Sequence, residues 1–180
     1  NSTVPGDHVA AGSFETAMTL LNRQIGVRNY EPLRAAFMRV YTGATLSLPT
    51  LPGLPSQSVF LARNGAAGPP PGADTLPRVC VTVDSLLDLL KGVFRSFQGG
   101  KFQASKAQVD ELLHTIPLVS VSSRSEELKV KEVLGLAMEY AVAVKLELAR
   151  RASTANPKRA LELVAYTTHC NLKPAHLMLA

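Results

Sequence analysis

The stretch Asp84–Pro117 reads DSLLDLLKGVFRSFQGGKFQASKAQVDELLHTIP. Leu86, Leu87, Leu90, Val93, Phe94 and Phe97 recur at helical spacing as a broad apolar face that stops at Gly99-Gly100. Lys101 then starts a second helix carrying Phe102, Val109, Leu112 and Leu113, and Pro117 ends it. The order Phe102, Ser105, Val109, Leu112, Pro117 resembles part of a tetratricopeptide repeat, with Ser105 where a small residue is wanted and Pro117 at the exit. The rest of that signature is poor, so the segment predicts one repeat-like helical hairpin and not an array.

Further helices flank it. Ser123 and Glu126 form a capping box. A long helix should follow to about Arg151, burying Val130, Val133, Leu134, Ala137, Tyr140, Ala141, Val144 and Leu148. Asn156-Pro157 opens another helix with Leu161, Val164 and Ala165, Asn171 ends it, and Pro174 begins one more. At the other end, Asp7 is expected to cap a short turn that Gly12 breaks. Ser13 then caps a helix with Phe14, Ala17, Met18, Leu21 and Ile25 before Gly26. A third helix runs from about Tyr30 to Gly43, with Asn29 as cap and Leu33, Ala36, Phe37 and Val40 as its buried stripe. The expected fold is mainly α, built of stacked helical hairpins with one protruding β-hairpin.

That β-hairpin is read from Thr45–Leu61. Leu46 and Leu48 alternate with polar neighbours, Val59 and Leu61 flank Phe60, and Pro52-Gly53 is a turn signal between them. Pro49, Pro52 and Pro55 argue against a central strand, because each removes a ladder donor. Two readings stand open for these leucines: an exposed docking surface, or a loop packed on the neighbouring helix. The run Gly65–Asp74 is a linker, and Val79–Val81 is expected to add a short strand. The chain thus divides into an N-terminal helical segment (1–44), a protruding hairpin (45–64), a flexible Gly/Pro linker (65–78) and a helical domain (79–180), which is expected to be cut within its last helix. With no initiator methionine and an abrupt start at Asn1, the sequence is expected to be an excerpt of a longer protein.

Composition narrows the function. The 180 residues are 46% hydrophobic and 6% aromatic, with no Trp, so the core must be aliphatic and alanine-rich. A formal charge of +5 raises the alternative of a basic helical adaptor for nucleic acid or an acidic membrane surface. The basic residues make no run: Lys101, Lys106, Lys129, Lys131, Lys145, Arg150 and Arg151 are interleaved with Glu126, Glu127, Glu132, Glu139 and Glu147. Solvated helix faces explain that pattern better, so no nucleic-acid partner is expected. The most apolar window, Val133–Val144, is far short of a spanning helix.

No catalytic, cofactor or metal residue is expected. Cys80 and Cys170 lie far apart and suit a reducing compartment. His169 and Cys170 are adjacent, so on a helix they point apart. His176 lies beyond the break at Pro174, which leaves too few ligands for zinc. His114 sits near a helix end, where an imidazolium complements the dipole, and His8 in a short turn carries no signal. Gly99-Gly100-Lys101 lacks the spacing of a phosphate loop. Nothing places a nucleophile, a base and an oxyanion site together. An enzyme is not expected.

Several stretches resemble the coatomer (COPI vesicle coat) alpha-subunit family, in its C-terminal region. They are Asp7-His8, Ala11–Met18, Gly100-Lys101-Phe102, Thr115–Val119 and Ala165–Leu172 followed by Pro174 and His176. These occur in the family's order across nearly the whole chain. The resemblance implies a cytosolic coat component, peripheral on Golgi membranes and COPI-coated vesicles, whose C-terminal helical region binds the epsilon subunit alongside other coatomer subunits. It implies that this partner, a tetratricopeptide-repeat protein, wraps around a protruding part of alpha. The position-matched segment is Thr45–Leu61, so Leu46, Leu48, Leu51, Leu54, Val59, Phe60 and Leu61 are the expected contacts, and the docking reading is favoured.

Overall fold

Eight α-helices and one two-stranded antiparallel sheet make up the described part of the chain, residues 2–48, 57–63, 76–153 and 155–177 of a computed structural model. The mainly helical class with a β-hairpin, expected from periodicity, is what forms. The chain falls into two compact units, Asn1–Thr82 with Pro117–Ser120, and Val83–Ile116 with Val121–Ala180.

The first unit holds α1 (Pro5–Ala10), α2 (Phe14–Ile25) and α3 (Arg34–Ala44), with α1 packed against both others. Its core is Val9, Ala10, Ala17, Leu21, Leu33, Ala36, Phe37, Val40 and Ala44, joined by Val79, Val81 and Leu118. The stripe foreseen for the third helix is buried in full, and Asn29 Oδ1 accepts from the Glu31 amide at 3.1 Å. Gly12 and Gly26 stop their helices with positive φ of 80° and 72°, a conformation that glycine adopts without a Cβ penalty.

Four local expectations differ. Asp7 is no cap, because Pro5, with its φ fixed and no N–H to satisfy, already opens α1; Asp7 is buried in the first turn. Ile25 is exposed. Gly43 does not end α3, which runs on to Ala44. Its missing side chain serves packing instead, since a Cβ there would lie 2.9 Å from Cys80 Sγ. Val79–Val81 is irregular though largely buried; the pairing falls just before it, where Leu76–Arg78 meets Leu61–Arg63.

In the second unit α4 (Val83–Gln98) and α5 (Phe102–Thr115) pair across Gly99-Gly100. Both pack on the 29-residue α6 (Arg124–Ala152), followed by α7 (Pro157–Thr167) and the single turn α8 (Pro174–Leu177). Val93, Phe97, Phe102, Val109, Tyr140, Ala143, Val144, Cys170 and Leu172 form one cluster. Phe97 meets Phe102 and Tyr140 edge-on, at centroid distances of 5.1 and 5.4 Å, a favoured aromatic geometry. Ser105 is fully buried, as the repeat-like pattern requires. Ser123 Oγ accepts from the Glu126 amide while Glu126 Oε2 accepts from the Ser122 amide, so the capping box closes one residue early.

The buried stripe of α6 is Val133, Ala137, Tyr140, Val144 and Glu147, with Ala143 beside it. Leu134, expected inside, is exposed, and Val130, Ala141 and Leu148 are half-buried. On α7, Leu161 is 72% exposed and Ala165 is exposed, while Leu163 and Thr167 are buried. Leu161 and Leu163 lie about 200° apart around the axis, so only one of them can face α6. Thr167 occupies the next buried turn by donating its hydroxyl to Leu163 O at 2.9 Å.

Candidate docking surface

The chain passes from α3 into a strand without a loop. Thr45 adopts extended dihedrals directly after Ala44, as a β-branched residue prefers. Strand β1 (Thr45–Leu48) pairs antiparallel with β2 (Gln57–Phe60) in the register Thr45–Phe60, Leu46–Val59, Ser47–Ser58 and Leu48–Gln57. Leu46 therefore faces Val59 across the ribbon, a contacting cross-strand pair. Alternation puts Phe60 on the opposite face.

This ribbon keeps its apolar side chains in solvent. Leu46 is 48% exposed, Val59 44% and Phe60 50%, and every residue of β2 is exposed. Of the seven expected contacts, Leu46 and Val59 are brought together, Phe60 stands on the other face, and Leu61 is half-buried at the root. Leu48 is placed by its backbone register alone. Leu51 and Leu54 lie outside the described residues, as do Pro49, the expected Pro52-Gly53 turn, Pro55 and the linker Gly65–Asp74.

Three main-chain hydrogen bonds tie down the root, one to Ala44 and two to the segment Leu76–Arg78. The Leu61 amide donates to Ala44 O at 2.8 Å, the Arg63 amide to Leu76 O at 2.8 Å, and the Arg78 amide to Leu61 O at 2.7 Å. Phe60 meets Tyr41 edge-on at 6.3 Å, Tyr41 meets Phe14 at 5.5 Å, and Phe14 stacks with Phe37 at 6.3 Å. This aromatic chain runs from the ribbon into the α2–α3 core. Ala11, Phe60, Leu61, Ala62 and Pro77 line a shallow cleft of about 200 Å³ beside it. The carboxylate of Asp7 pairs with the Arg63 guanidinium and accepts the Ser2 hydroxyl at 2.5 Å. Sequence reasoning missed this pair, and it missed Leu76, which is exposed beside the root. The two charges are 56 residues apart, and no local pattern links them.

Among the described residues of the second unit, several polar groups are buried, and most of them are paired. Tyr140 OH and His176 Nδ1 lie 2.5 Å apart, and the Lys173 amide donates to the same hydroxyl at 3.3 Å. The two groups are thus hydrogen-bonded to each other inside the unit. Burial, and secondarily the Lys173 charge, push His176 below its ordinary value, while burial pushes the Tyr140 phenol up. Burial likewise raises the Cys170 thiol, with the Glu139 charge adding to it, the reverse of an activated nucleophile. Burial alone would raise Glu147, but hydrogen bonds from Arg150 and Arg151, at 2.7 and 2.9 Å, outweigh it and hold the carboxyl below the usual range. Among the described residues no three His, Cys, Asp or Glu side chains gather as metal ligands, and no helix is long and apolar enough to cross a membrane.

The family model for the C-terminus of the coatomer (COPI) alpha subunit matches residues 1–180. The chain is 36% identical over 179 residues to coatomer subunit alpha-1 of Arabidopsis thaliana, covering 99% of this chain and 15% of that protein. It is 34% identical to coatomer subunit alpha of Dictyostelium discoideum and 30% identical to that of Saccharomyces cerevisiae, covering 100% and 98% of this chain and 15% of each relative. The chain thus spans about 15% of the length of the curated relatives it matches. With the match running through α1–α3, the β1–β2 ribbon and the helices beyond it, the chain belongs to the family formed by the C-terminus of the coatomer (COPI) alpha subunit.

Proposed function

We propose that this chain is a non-enzymatic scaffold of the COPI coat whose β1–β2 ribbon docks the coatomer epsilon subunit. The observation that supports it is the cross-strand pair Leu46–Val59 with Phe60 on the other face, all about half exposed on strands of four residues each. Full burial of such a side chain is worth about 1.5–3 kcal/mol. Covering what remains exposed on three of them gives a few kcal/mol, from which ordering costs are subtracted. A tetratricopeptide-repeat partner that wraps the ribbon would cover both faces at once, with Leu51 and Leu54 proposed as further contacts. The chain then contributes to Golgi-to-ER and intra-Golgi transport from the cytoplasmic side, and it reaches Golgi membranes and vesicles only through the assembled coat.

The alternative of a nucleic-acid or acidic-membrane binder is less well supported. Several surface cations are already paired, as in Lys91–Asp88, Lys131–Glu127, Arg124–Glu127 and Arg159–Glu162. Calorimetry with purified epsilon subunit tests the proposal. Leu46→Asp should weaken binding by about thirtyfold or more, as loss of an anchor does, and leave helicity intact. Unchanged affinity would exclude the ribbon as the interface, and a steep salt dependence of binding to RNA or anionic vesicles would favour the alternative.

A further inference from the structure

Resting on the docking reading, we infer that Asp7 and Arg63 are a positioning pair that fixes the direction in which the ribbon presents Leu46 and Val59. A two-stranded ribbon is at best marginally stable alone, and its main-chain bonds at the root lead to Ala44 and to the returning segment Leu76–Arg78. Among the described residues, two side-chain links tie the β2 end of the root to the helices, Phe60 on Tyr41 and Asp7 with Arg63, while at the β1 end the Thr45 hydroxyl donates to Tyr41 O at 3.3 Å. The first is an edge contact between partly exposed rings and has no hydrogen bond to set a direction. The second is directional, because a guanidinium offers its N–H groups in a rigid plane.

The acid end of this pair is anchored. Asp7 is 3% exposed in the first turn of α1. Its second oxygen takes the Ser2 hydroxyl, and Ser2 is held in turn by His8 Nε2, 2.8 Å from Ser2 O. A carboxylate so buried is costly without a cation, and Arg63, two residues past the half-buried Leu61, supplies one. The desolvation that makes Asp7 expensive alone is thereby turned into a requirement on where the ribbon's root must lie.

The test uses the full chain and compares Arg63→Met, Asp7→Asn and Arg63→Lys with Arg78→Met as a charge-matched control on the neighbouring segment. Amide exchange over residues 57–63 and 76–78 reads the root directly, and calorimetry with epsilon subunit reads docking. Arg63→Met and Asp7→Asn should speed exchange there about tenfold and weaken binding by a similar factor. Arg63→Lys should recover part of both, and Arg78→Met should change neither. Unaltered exchange in Arg63→Met overturns the pair as a clamp, whatever binding does. Faster exchange with undiminished binding overturns its positioning role, provided Leu46→Asp still weakens the complex. If Leu46→Asp also leaves binding intact, the docking reading fails, and the positioning role fails with it. Should Asp7→Asn not fold, Arg63→Met and Arg63→Lys decide the question, since Arg63 is partly exposed.

Discussion

In the β1–β2 ribbon, apolar side chains stand outside: Leu46, Val59 and Phe60 meet solvent on strands of four residues each. In the α4–α8 helices polar ones stand inside, where Tyr140, His176, Glu147 and Ser105 are buried among aliphatic and aromatic neighbours. The two regions invert the ordinary partition in opposite directions, for different physical reasons. A buried polar group survives when its partners are at hand, as with the Tyr140–His176 bond and the two arginines on Glu147. An exposed apolar group needs no partner to persist; it raises the free energy of the uncovered state and so rewards whatever covers it.

The largest effect that can break this contrast is a pair of matched truncations. Phe97→Ala opens a cavity in the aromatic cluster and should cost about 3–5 kcal/mol of folding stability, as large-to-small core changes do. Phe60→Ala removes a ring that is already half in water and should cost less than about 1 kcal/mol. Chemical denaturation followed by far-UV circular dichroism compares them. A loss at Phe60 as large as that at Phe97 would mean that the ribbon belongs to a core.

A smaller effect sharpens the polar side of the comparison. His176 Nδ1 is hydrogen-bonded to Tyr140 OH, and Phe94 and Phe97 face its ring at centroid distances of 5.8 and 5.4 Å. The charged group on its own flank is Lys173, whose ammonium sits over Phe94 at 3.9 Å. Because burial holds the folded-state value below that of the unfolded chain, the unfolded chain takes up the proton first. His176 therefore contributes stability that is fully present above about pH 6.5, the ordinary histidine value, and is lost as pH falls below it. His176→Gln, whose amide can donate to or accept from Tyr140, should flatten this acid limb of the stability curve while changing little at pH 7.5. An identical limb in the variant would assign the acid sensitivity elsewhere.

Much of this was legible in the sequence, in proportion to how local the signal is. The α4–α5 hairpin, the α3 stripe, the glycine stops at Gly12 and Gly26 and the Asn156-Pro157 start rest on neighbours within a turn or two, and periodicity reports those. The ribbon was legible from its alternation, although not its register, which depends on pairing across eight intervening residues. Three features lay beyond reach. Asp7 reads as a local cap, and nothing near it in sequence points to its partner 56 residues away. Glu147 reads as a solvated acid, because helical spacing alone does not say that a carboxylate flanked by Arg150 and Arg151 extends a buried stripe. Leu161 and Leu163 on α7 are equally apolar, and only the packing partner chooses between them.

The smallest effect concerns Ser105, the one side chain among the described residues with a buried polar atom and no hydrogen-bond partner. The repeat-like pattern wants a small residue here, and size is what the site uses: Ser105 is fully enclosed on α5 between the buried turns of Phe102 and Val109. Its hydroxyl adds nothing to that fit and carries a desolvation cost, which for an unsatisfied group is about 1–3 kcal/mol before relaxation. Alanine keeps the volume within one oxygen atom and has the better helix propensity, by roughly half a kcal/mol. Ser105→Ala should therefore raise stability by about 1 kcal/mol, whereas Ser105→Val, which enlarges the side chain in a filled site, should lower it. The two substitutions separate size from polarity: the first removes polarity at constant size, and the second removes polarity while adding bulk. A loss of stability in Ser105→Ala would show that the hydroxyl is bonded after all, to a buried water or a helix carbonyl. The helical unit would then satisfy every polar group it buries, and its contrast with the ribbon would be complete.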